Sequence, residues 1–440
     1  MQLGALGLGG LPLAGMMQQR AAAGRKPHPE TSVIMLYQHG GASHLETYDL
    51  KPNAPLDHRS IYGPIRTSVP GMEICEHFPL QARLADKFSL IRSLHHDVGI
   101  HSDGGIVVLT GKRPAQLDPT SQSKSEHPDF GHVASEIRGL GDRAIPPYVA
   151  IPQKPYMTLP AYLGIHNTPF EPGDPSASQY RPPQMQLAAG RDASFLENRR
   201  ALLSQLDRMR RDLDLAGQMR NMDEFRSLAF QMLTNPEVAS AFDIAQEKPE
   251  LRERYGMNQW GQCCLLARRL AEAGTAVINV YFDTPKNGQE FTNWDDHISN
   301  AGRPGHFGKY MAIRLPYMDQ AVSALIEDVY ARGLNRNILI VVVGEFGRTP
   351  RISQNSTGAG RDHWPQAYSA LVSGGGLRMG QVIGATNSKG EYPTERPLTP
   401  QDLLATVYRH LGIDWRATFD DYSGRPRHIL ESGHPIDELI

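Results

Sequence analysis

The sequence SVIMLYQHGG at residues 32–41 is the stretch that decides the fold class. Its first six residues are almost entirely apolar, which is typical of a strand that is buried on both faces of a parallel sheet. The strand runs directly into Gln38-His39-Gly40-Gly41. Polar residues and glycines at the carboxyl end of such a strand are typical of a ligand-binding loop. The stretch therefore predicts a parallel sheet with a site at its carboxyl edge.

The same alternation of helices and apolar strands continues along the chain. Helices are predicted at 78–85, 260–273, 318–330 and 401–411, strands at 88–94, 276–281, 338–343 and 368–373, and a strand-to-loop unit at 145–151. This order predicts an α/β fold, with a doubly wound, mostly parallel sheet that is covered by helices on both faces.

The domain organisation follows from length and composition. The 440 residues are enough for one large α/β domain with insertions, and we predict a single domain over residues 31–440. A polar, Pro-rich surface loop is expected at 172–183, followed by a helical insertion at about 190–245. Residues 1–30 are predicted to form a signal-like segment and a linker.

The first 30 residues favour export. Residues 3–17 are apolar and rich in small side chains, and Ala21-Ala22-Ala23 matches a signal-peptidase cleavage site. Only Met1 and Gln2 precede the apolar run, where a positively charged region is usual, so an ordinary chain terminus is the alternative. No stretch reaches the roughly 18 apolar residues of a membrane span. We expect a periplasmic or cell-envelope protein without a transmembrane span.

The charge balance and the histidine count narrow the possible chemistry. The 45 basic and 47 acidic residues give a net charge of -2, which argues against nucleic acid or an anionic membrane surface as a partner. The chain has 17 His but only three Cys, at positions 75, 263 and 264, too few for a disulfide framework. Imidazole chemistry is therefore a better prediction than thiol chemistry.

Five polar clusters stand where the pattern places loops next to strands. They occupy residues 38–49, 95–105, 294–297, 344–350 and 358–365. Open α/β sheets place their sites at the carboxyl ends of strands, so the clusters predict a site there. Asp295 and His297 can offer two ligands to one cation, or form a capping turn. Glu345 follows a buried strand and needs a cation or hydrogen bonds to stay charged, and Arg348 can bind a tetrahedral anion or pair with Glu345.

The motifs in and between these clusters resemble those of the exported bacterial family known as domain of unknown function 1501. The motifs that carry the resemblance are residues 39–52, Tyr255-Gly256, residues 264–270, Trp294-Asp295-Asp296-His297, residues 344–350 and residues 360–364. Members of this family usually begin with a twin-arginine signal, which implies export, although the Arg-Arg pair is absent from this sequence. The family in turn resembles the alkaline phosphatase and sulfatase superfamily.

That resemblance implies a metal-dependent hydrolase of phosphate or sulfate esters. Leu109-Thr110-Gly111-Lys112 matches the end of the sulfatase formylglycine segment, which puts His101 at the nucleophile position. No Cys/Ser-x-Pro-x-Arg motif is present, so formylglycine chemistry is disfavoured. The residues that the resemblance marks as metal ligands are Asp295, His297, Glu345 and His363, with His39 or Asp49 completing the shell. His101 is expected to be a ligand, a general acid or base, or a nucleophile, and Arg348 or Arg361 to bind the anionic oxygens.

Mixed imidazole and carboxylate ligands favour one or two ions of Zn, Mn or Fe. The expected partner is a small anionic ester or a sulfated or phosphorylated polymer, and the oligomeric state stays open. One alternative is a non-catalytic binding protein of the cell envelope that keeps the fold but has lost the nucleophile. A carbohydrate hydrolase that uses Asp295 and Glu345 as its two carboxylates is a third interpretation.

Overall fold

The computed structural model describes residues 30–139, 145–182, 235–283, 285, 293–300, 303–304, 307–356 and 358–440. Residues 1–29 of the predicted signal-like segment, and the predicted helical insertion up to residue 234, lie outside the described residues. The main sheet consists of β1 (Ser32–Gln38), β2 (Phe88–Leu94), β3 (Tyr148–Ile151), β4 (Val277–Tyr281), β5 (Ile338–Gly344), β6 (Tyr368–Gly374) and β7 (Val382–Ile383).

The sheet has the strand order β7-β2-β6-β5-β1-β4-β3. Strand β6 runs antiparallel to both of its neighbours, and all the other neighbouring pairs are parallel. The prediction of a mostly parallel sheet is therefore confirmed. Because β6 is reversed, its amino end lies at the same edge as the carboxyl ends of β1, β2, β4 and β5.

The helices of the described residues cover both faces of this sheet. They are α1 (Pro79–Arg83), α2 (His101–Thr110), α3 (Phe130–Arg138), α4 (Pro236–Phe242), α5 (Pro249–Tyr255), α6 (Gln259–Ala273), α7 (Phe307–Ala331) and α8 (Pro400–Leu411). Short 3-10 turns occupy Ala85–Lys87, Ala161–Leu163, Ile165–Asn167, Ile244–Gln246 and Asp437–Leu439.

The core is divided into two layers by the sheet. Ile34 and Leu36 of β1 belong to the same buried cluster as α1, α4, α5, α6 and α7, whereas Val33, Met35 and Tyr37 belong to the cluster of α2, α3 and α8. Successive side chains of a strand point to opposite faces, so an all-apolar strand needs apolar partners on both sides. The predicted doubly wound α/β architecture is confirmed by these two layers.

Six two-stranded antiparallel ribbons lie outside the main sheet in the described residues. They pair Pro64–Arg66 with Glu73–Cys75, Ser299–Asn300 with Arg303–Pro304, Gly347–Arg348 with His363–Trp364, Ser353–Gln354 with Ala359–Gly360, Ala385–Thr386 with Pro393–Glu395, and Thr418–Asp420 with Pro426–His428. The ribbon that pairs Arg348 with His363 brings two of the polar clusters side by side.

Helix α7 is longer than the sequence predicts. It starts at Phe307 and continues through Pro316, whereas the predicted helix begins at residue 318. A proline inside a helix removes one backbone hydrogen bond and usually ends the helix, but buried packing can retain it. Buried residues on both sides of Pro316, among them Met311 and Met318, hold the helix in the core. No helix of the described residues has both the length and the apolarity to cross a membrane.

Candidate metal centre

Four side chains from three segments meet at the carboxyl edge of the sheet. His101, Asp295, His297 and His363 each offer a ligand atom, and these atoms lie within 4.8 Å of one another. His101 is the first residue of α2, Asp295 and His297 follow β4, and His363 precedes the reversed strand β6. Among the described residues, this is the one group of at least three such side chains that can hold a metal ion. We call it the four-residue centre.

The three imidazoles converge on one carboxylate oxygen. The Oδ1 atom of Asp295 lies 3.2 Å from Nε2 of His101, 2.9 Å from Nε2 of His297 and 3.2 Å from Nε2 of His363. The Nε2 atoms of His297 and His363 are themselves only 2.9 Å apart. All four side chains are partly exposed, between 16 and 26 %, so a small molecule can reach them.

Each imidazole is held through its other ring nitrogen. Nδ1 of His101 lies 2.8 Å from Oε1 of Glu345, and Nδ1 of His297 lies 2.7 Å from Oδ1 of Asp362. Nδ1 of His363 lies 2.7 Å from the carbonyl oxygen of Gly99. These oxygens accept hydrogen bonds, so each Nδ1 carries the proton and a neutral ring keeps its lone pair on Nε2.

This arrangement places four electron-rich atoms against one another. Three Nε2 lone pairs and the Oδ1 of Asp295 repel each other at these distances unless protons or a cation lie between them. Histidine ligands of metals usually donate the other ring N–H to a carboxylate or a backbone carbonyl, as all three rings do here. Three imidazoles and one carboxylate are also a common ligand set for zinc and related ions. The residues of the four-residue centre therefore fit a divalent cation.

The electrostatics keep the carboxylates of this region ionised. Burial raises the pKa of Asp295, but its contacts with the three imidazoles and the charge of Arg348 outweigh burial and hold the pKa well below its usual range. Burial also opposes ionisation of Glu345, yet contact with His101 and the charge of His39 bring its pKa to about 2. In return, hydrogen bonds to Asp295 and Glu345 overcome burial and raise the pKa of His101 to about 9. A cation at Nε2 competes with that proton.

Arg348 holds the loops of the centre together and is fully buried. Its Nη2 donates to Oδ1 of Asp295 over 2.7 Å and to the carbonyl of Gly40, and its Nε donates to the carbonyl of Gly41 over 2.9 Å. Its Nη1 donates to the carbonyl of Arg361 over 3.2 Å. The guanidinium has no exposed surface for a substrate anion, so the structure places Arg348 behind Asp295 as its partner.

Gly40 allows the first loop to approach the centre closely. Its φ is +105°, and a Cβ at this position would lie 2.5 Å from the backbone nitrogen of Asp295. The N–H of Gly40 donates to Oε1 of Glu345 over 2.7 Å. A residue without a side chain is needed at this close approach between the two loops.

Arg361 and Asp49 lie outside the four-residue centre and have partners of their own. Arg361 is fully buried, and its Nη2 lies 2.8 Å from Oε1 of Glu46. Its other hydrogen bonds go to backbone carbonyls, among them that of Thr349. The carboxylate of Asp49 lies 3.0 Å from Nζ of Lys51. Neither residue is part of the group of four, and each is held in an ion pair of its own, of which only that of Arg361 is fully buried.

Glu345 and His39 border the centre without belonging to it. Glu345 is fully buried and contacts the centre through His101. Nδ1 of His39 lies 3.7 Å from Oε1 of Glu345, and its ring stacks on that of Tyr281 with the centroids 5.1 Å apart. Of the nine predicted site residues, four therefore meet in one group, and Glu345 and His39 form its border.

Three features of the centre were not predicted from the sequence. The carboxylate of Asp362 and the carbonyl of Gly99 orient His297 and His363, and the ring of Phe346 packs 4.5 Å from that of His363. Asp362 belongs to a polar cluster and was therefore a candidate for such a role. A backbone carbonyl such as that of Gly99 carries no signal in the sequence.

Solved structures with a similar chain path come from several enzymes. A sulfatase from Pseudoalteromonas sp. is 12% identical, with a TM-score of 0.37 over 91% of this chain and 70% of that chain. A phosphonate monoester hydrolase from Silicibacter pomeroyi is 12% identical, with a TM-score of 0.35 over 88% and 74% of the two chains. The lipoteichoic acid synthase LtaP from Listeria monocytogenes is 10% identical, with a TM-score of 0.37 over 88% and 73%. No curated protein matches the sequence. The family model described as "Protein of unknown function (DUF1501)" matches residues 30–440.

Proposed function

The chain belongs to the DUF1501 family, and we propose that it is a metal-dependent hydrolase of phosphate or sulfate esters in the cell envelope. One observation carries the proposal. Three imidazoles direct Nε2 at a single carboxylate oxygen of Asp295, and the Nδ1 of each ring is already bound to an acceptor. Such a group of lone pairs favours a cation, and a partly exposed cation favours an anionic substrate.

The cation would be held by the four-residue centre, and its ligand chemistry favours Zn, Mn or Fe. When bound, it supplies a Lewis acid and lowers the pKa of a water molecule, which are the contributions that ester hydrolysis needs. Calcium and magnesium prefer sites built from oxygen ligands alone, and this centre contains three imidazoles.

The protein residues around the centre orient the ligands and exclude water from one side. Glu345 and Asp362 fix the ring planes of His101 and His297 through their Nδ1 atoms. Arg348 holds the carboxylate of Asp295 from the buried side. Phe346 packs against the rings of His101 and His363, and it is almost completely buried. The open side of the centre is therefore the side from which an ester can approach.

The experiment combines metal analysis with an activity panel. The purified chain is assayed for bound transition metals and for hydrolysis of aryl phosphates, aryl sulfates and phosphate diesters. We expect close to one equivalent of metal in the four-residue centre and hydrolysis of at least one ester class. Asp295→Asn and His363→Ala should lose both, while His428→Ala, which changes an exposed histidine of the last ribbon, should keep both.

Two results would separate the remaining interpretations. A folded protein that takes up no transition metal contradicts the proposed centre. A protein that binds metal through these four residues but hydrolyses none of the esters is instead the non-catalytic envelope binding protein. The second outcome supports the metal centre and contradicts only the proposed hydrolytic activity.

A further inference from the structure

A row of aromatic rings extends from the four-residue centre along the carboxyl edge of the sheet. The ring of His39 lies 5.8 Å from that of His101 and stacks on Tyr281, with an interplanar angle of 23°. The ring of Tyr156 stands almost perpendicular to His39, at 83° and 5.7 Å. The rings of His39 and Tyr156 therefore meet edge to face beside a proposed metal ligand. We call His39, Tyr156 and Tyr281 the ring row.

A positive charge stands at the outer end of the ring row. Nζ of Lys124 lies 5.0 Å from the centroid of the Tyr156 ring and donates to the backbone carbonyl of the same tyrosine over 2.7 Å. Lys124 is exposed and Tyr156 and His39 are partly exposed, whereas Tyr281 is buried and supports the ring of His39. A lysine ammonium has three N–H donors, so the contact with the carbonyl leaves donors for a ligand.

The position of Tyr156 is fixed from the helix that carries His101. Its hydroxyl donates to the carbonyl of Ser121 over 3.1 Å, and Oγ of Ser121 accepts from the backbone N–H of Ser102 over 3.1 Å. Ser102 is the second residue of α2, next to His101. The tyrosine and the first metal ligand are thus linked by two hydrogen bonds.

Asp103, one residue further along α2, holds the same loop at two more points. This buried carboxylate accepts from the backbone N–H of Asp118 over 3.3 Å and from the hydroxyl of Ser123 over 3.1 Å. Lys124 follows directly after Ser123. The loop that carries the lysine is therefore fixed relative to the centre, and such prior order reduces the entropy cost of binding a ligand.

We propose that the ring row and Lys124 bind the organic part of the ester, and that this part contains an aromatic or sugar ring with a second negative charge. The inference rests on the proposed function, because it assumes that the phosphate or sulfate group lies at the four-residue centre. Aromatic walls bind flat or cyclic groups, and a lysine beside them selects an anionic substituent. A simple alkyl ester has neither a ring to contact the aromatic residues nor an anionic substituent to contact Lys124.

The test compares three phosphonates that share the head group and are not hydrolysed. Methylphosphonate lacks a ring, phenylphosphonate has one, and 4-carboxyphenylphosphonate adds a negative charge. Their dissociation constants are measured by calorimetry on the metal-loaded protein. We expect phenylphosphonate to bind about tenfold tighter than methylphosphonate, because one stacked ring contributes on this scale. The carboxylate of 4-carboxyphenylphosphonate should tighten binding by about a further twofold to fivefold, which is the usual contribution of an exposed ion pair.

Variants assign each gain to a side chain. Tyr156→Ala should remove the preference for the phenyl ring and leave methylphosphonate unchanged, and Tyr156→Phe should retain the preference. Lys124→Met should remove only the gain from the carboxylate. If Tyr156→Ala does not fold, the other two variants decide. Tyr422→Ala changes a tyrosine that is 85% exposed on another part of the surface, and it should change nothing.

The outcomes separate this inference from the proposed function. Equal affinities for methyl- and phenylphosphonate in the unmodified protein overturn the ring row as a subsite and leave the metal centre untouched. An equal loss for both ligands in Tyr156→Ala also overturns it. If the metal-loaded protein binds none of the three phosphonates, the proposed function and the subsite fail together.

Discussion

Nδ1 of His101 donates a hydrogen bond to Oε1 of Glu345 across 2.8 Å, and this contact joins the start of helix α2 to the end of strand β5. Glu345 is fully buried, and the same oxygen accepts the backbone N–H of Gly40 from the end of β1. One carboxylate therefore sets the orientation of an imidazole and the path of a neighbouring loop. Glu345 therefore contacts the four-residue centre through His101.

Glu345→Gln is the direct test of this contact. The amide keeps the shape of the side chain but removes the charge that strengthens the hydrogen bond from His101. We expect the affinity for a divalent metal to fall by about 10- to 100-fold, as for other partners of metal-binding histidines. Competition with a chelator measures the affinity. The control is Glu431→Gln, because Glu431 is an exposed ion-pair partner of Lys112. Equal metal affinities in the two variants would contradict the role of Glu345 in orienting His101.

Arg361 is expected to stabilise the fold without binding substrate. Its ion pair with Glu46 is fully buried, so Arg361→Met leaves an unpaired buried carboxylate and should cost about 3–5 kcal/mol of unfolding free energy. The double variant Arg361→Met/Glu46→Leu should recover much of that loss. Denaturant titration gives the free energies. A lower metal affinity in the folded double variant would show that Arg361 belongs to the site after all.

Gly40→Ala should lower the affinity for metal, whereas Gly71→Ala, which causes similar backbone strain, should not. The new Cβ would lie 2.5 Å from the backbone nitrogen of Asp295, so the loop that carries this ligand has to move. Gly71 has a φ of +82° but no atom within 4 Å of its would-be Cβ, so Gly71→Ala pays only the strain of about 1–3 kcal/mol. Metal affinity should fall in Gly40→Ala alone. Equal metal affinities in the two folded variants would argue against the close approach.

Metal removal should destabilise the unmodified protein and leave His363→Ala unaffected. A ligand that binds only the folded state adds about 2.7 kcal/mol at a free concentration 100 times its dissociation constant. We therefore expect the Tm to rise with added metal and to fall with chelator, as followed by calorimetry. If neither added metal nor chelator changes the Tm of the unmodified protein, this result contradicts metal binding by the folded chain.

Asp319 should give the unfolding free energy a pH dependence that Asp319→Asn lacks. Burial raises its pKa from 3.8 to about 6, although the backbone N–H groups of Leu80 and Gln81 donate to it. The folded state thus binds the proton more tightly than the unfolded state. This contribution is present below about pH 4 and is lost as the pH rises to about 6. Denaturant titrations from about pH 4 to about pH 6 should show that the unfolding free energy falls less steeply with pH in Asp319→Asn than in the unmodified protein. Parallel curves would refute the raised pKa.

The fold was predictable because its signals are local. Apolar runs mark the strands, and the predicted strand at 88–94 coincides with β2. The helix predicted at 260–273 ends where Gly274 adopts the left-handed conformation, and the N–H of Gly274 donates to the carbonyls of Leu270 and Ala271. The direction of β6 was not predictable, because an apolar strand looks alike in both directions.

The site was predictable only in part, for a related reason. The polar clusters contain His101, His297 and His363, the resemblance to the alkaline phosphatase and sulfatase superfamily marked them as candidates, and the edge of a mostly parallel sheet brings such clusters together. The roles of Arg348 and Arg361 were not visible, because most of their hydrogen bonds go to backbone carbonyls. A sequence shows which side chains are charged, but not which of them the folded chain encloses.

The reversal of β6 also has a consequence for the order in which the protein becomes complete. A ribosome makes His101 early, whereas His363 is made late, just before the reversed strand β6 begins. A growing chain that ends before residue 363 lacks one of the four side chains of the centre, however well its earlier strands have paired. We therefore expect a complete cation site only in chains that extend past residue 363, and a metal-binding assay on truncated chains would record that point of synthesis.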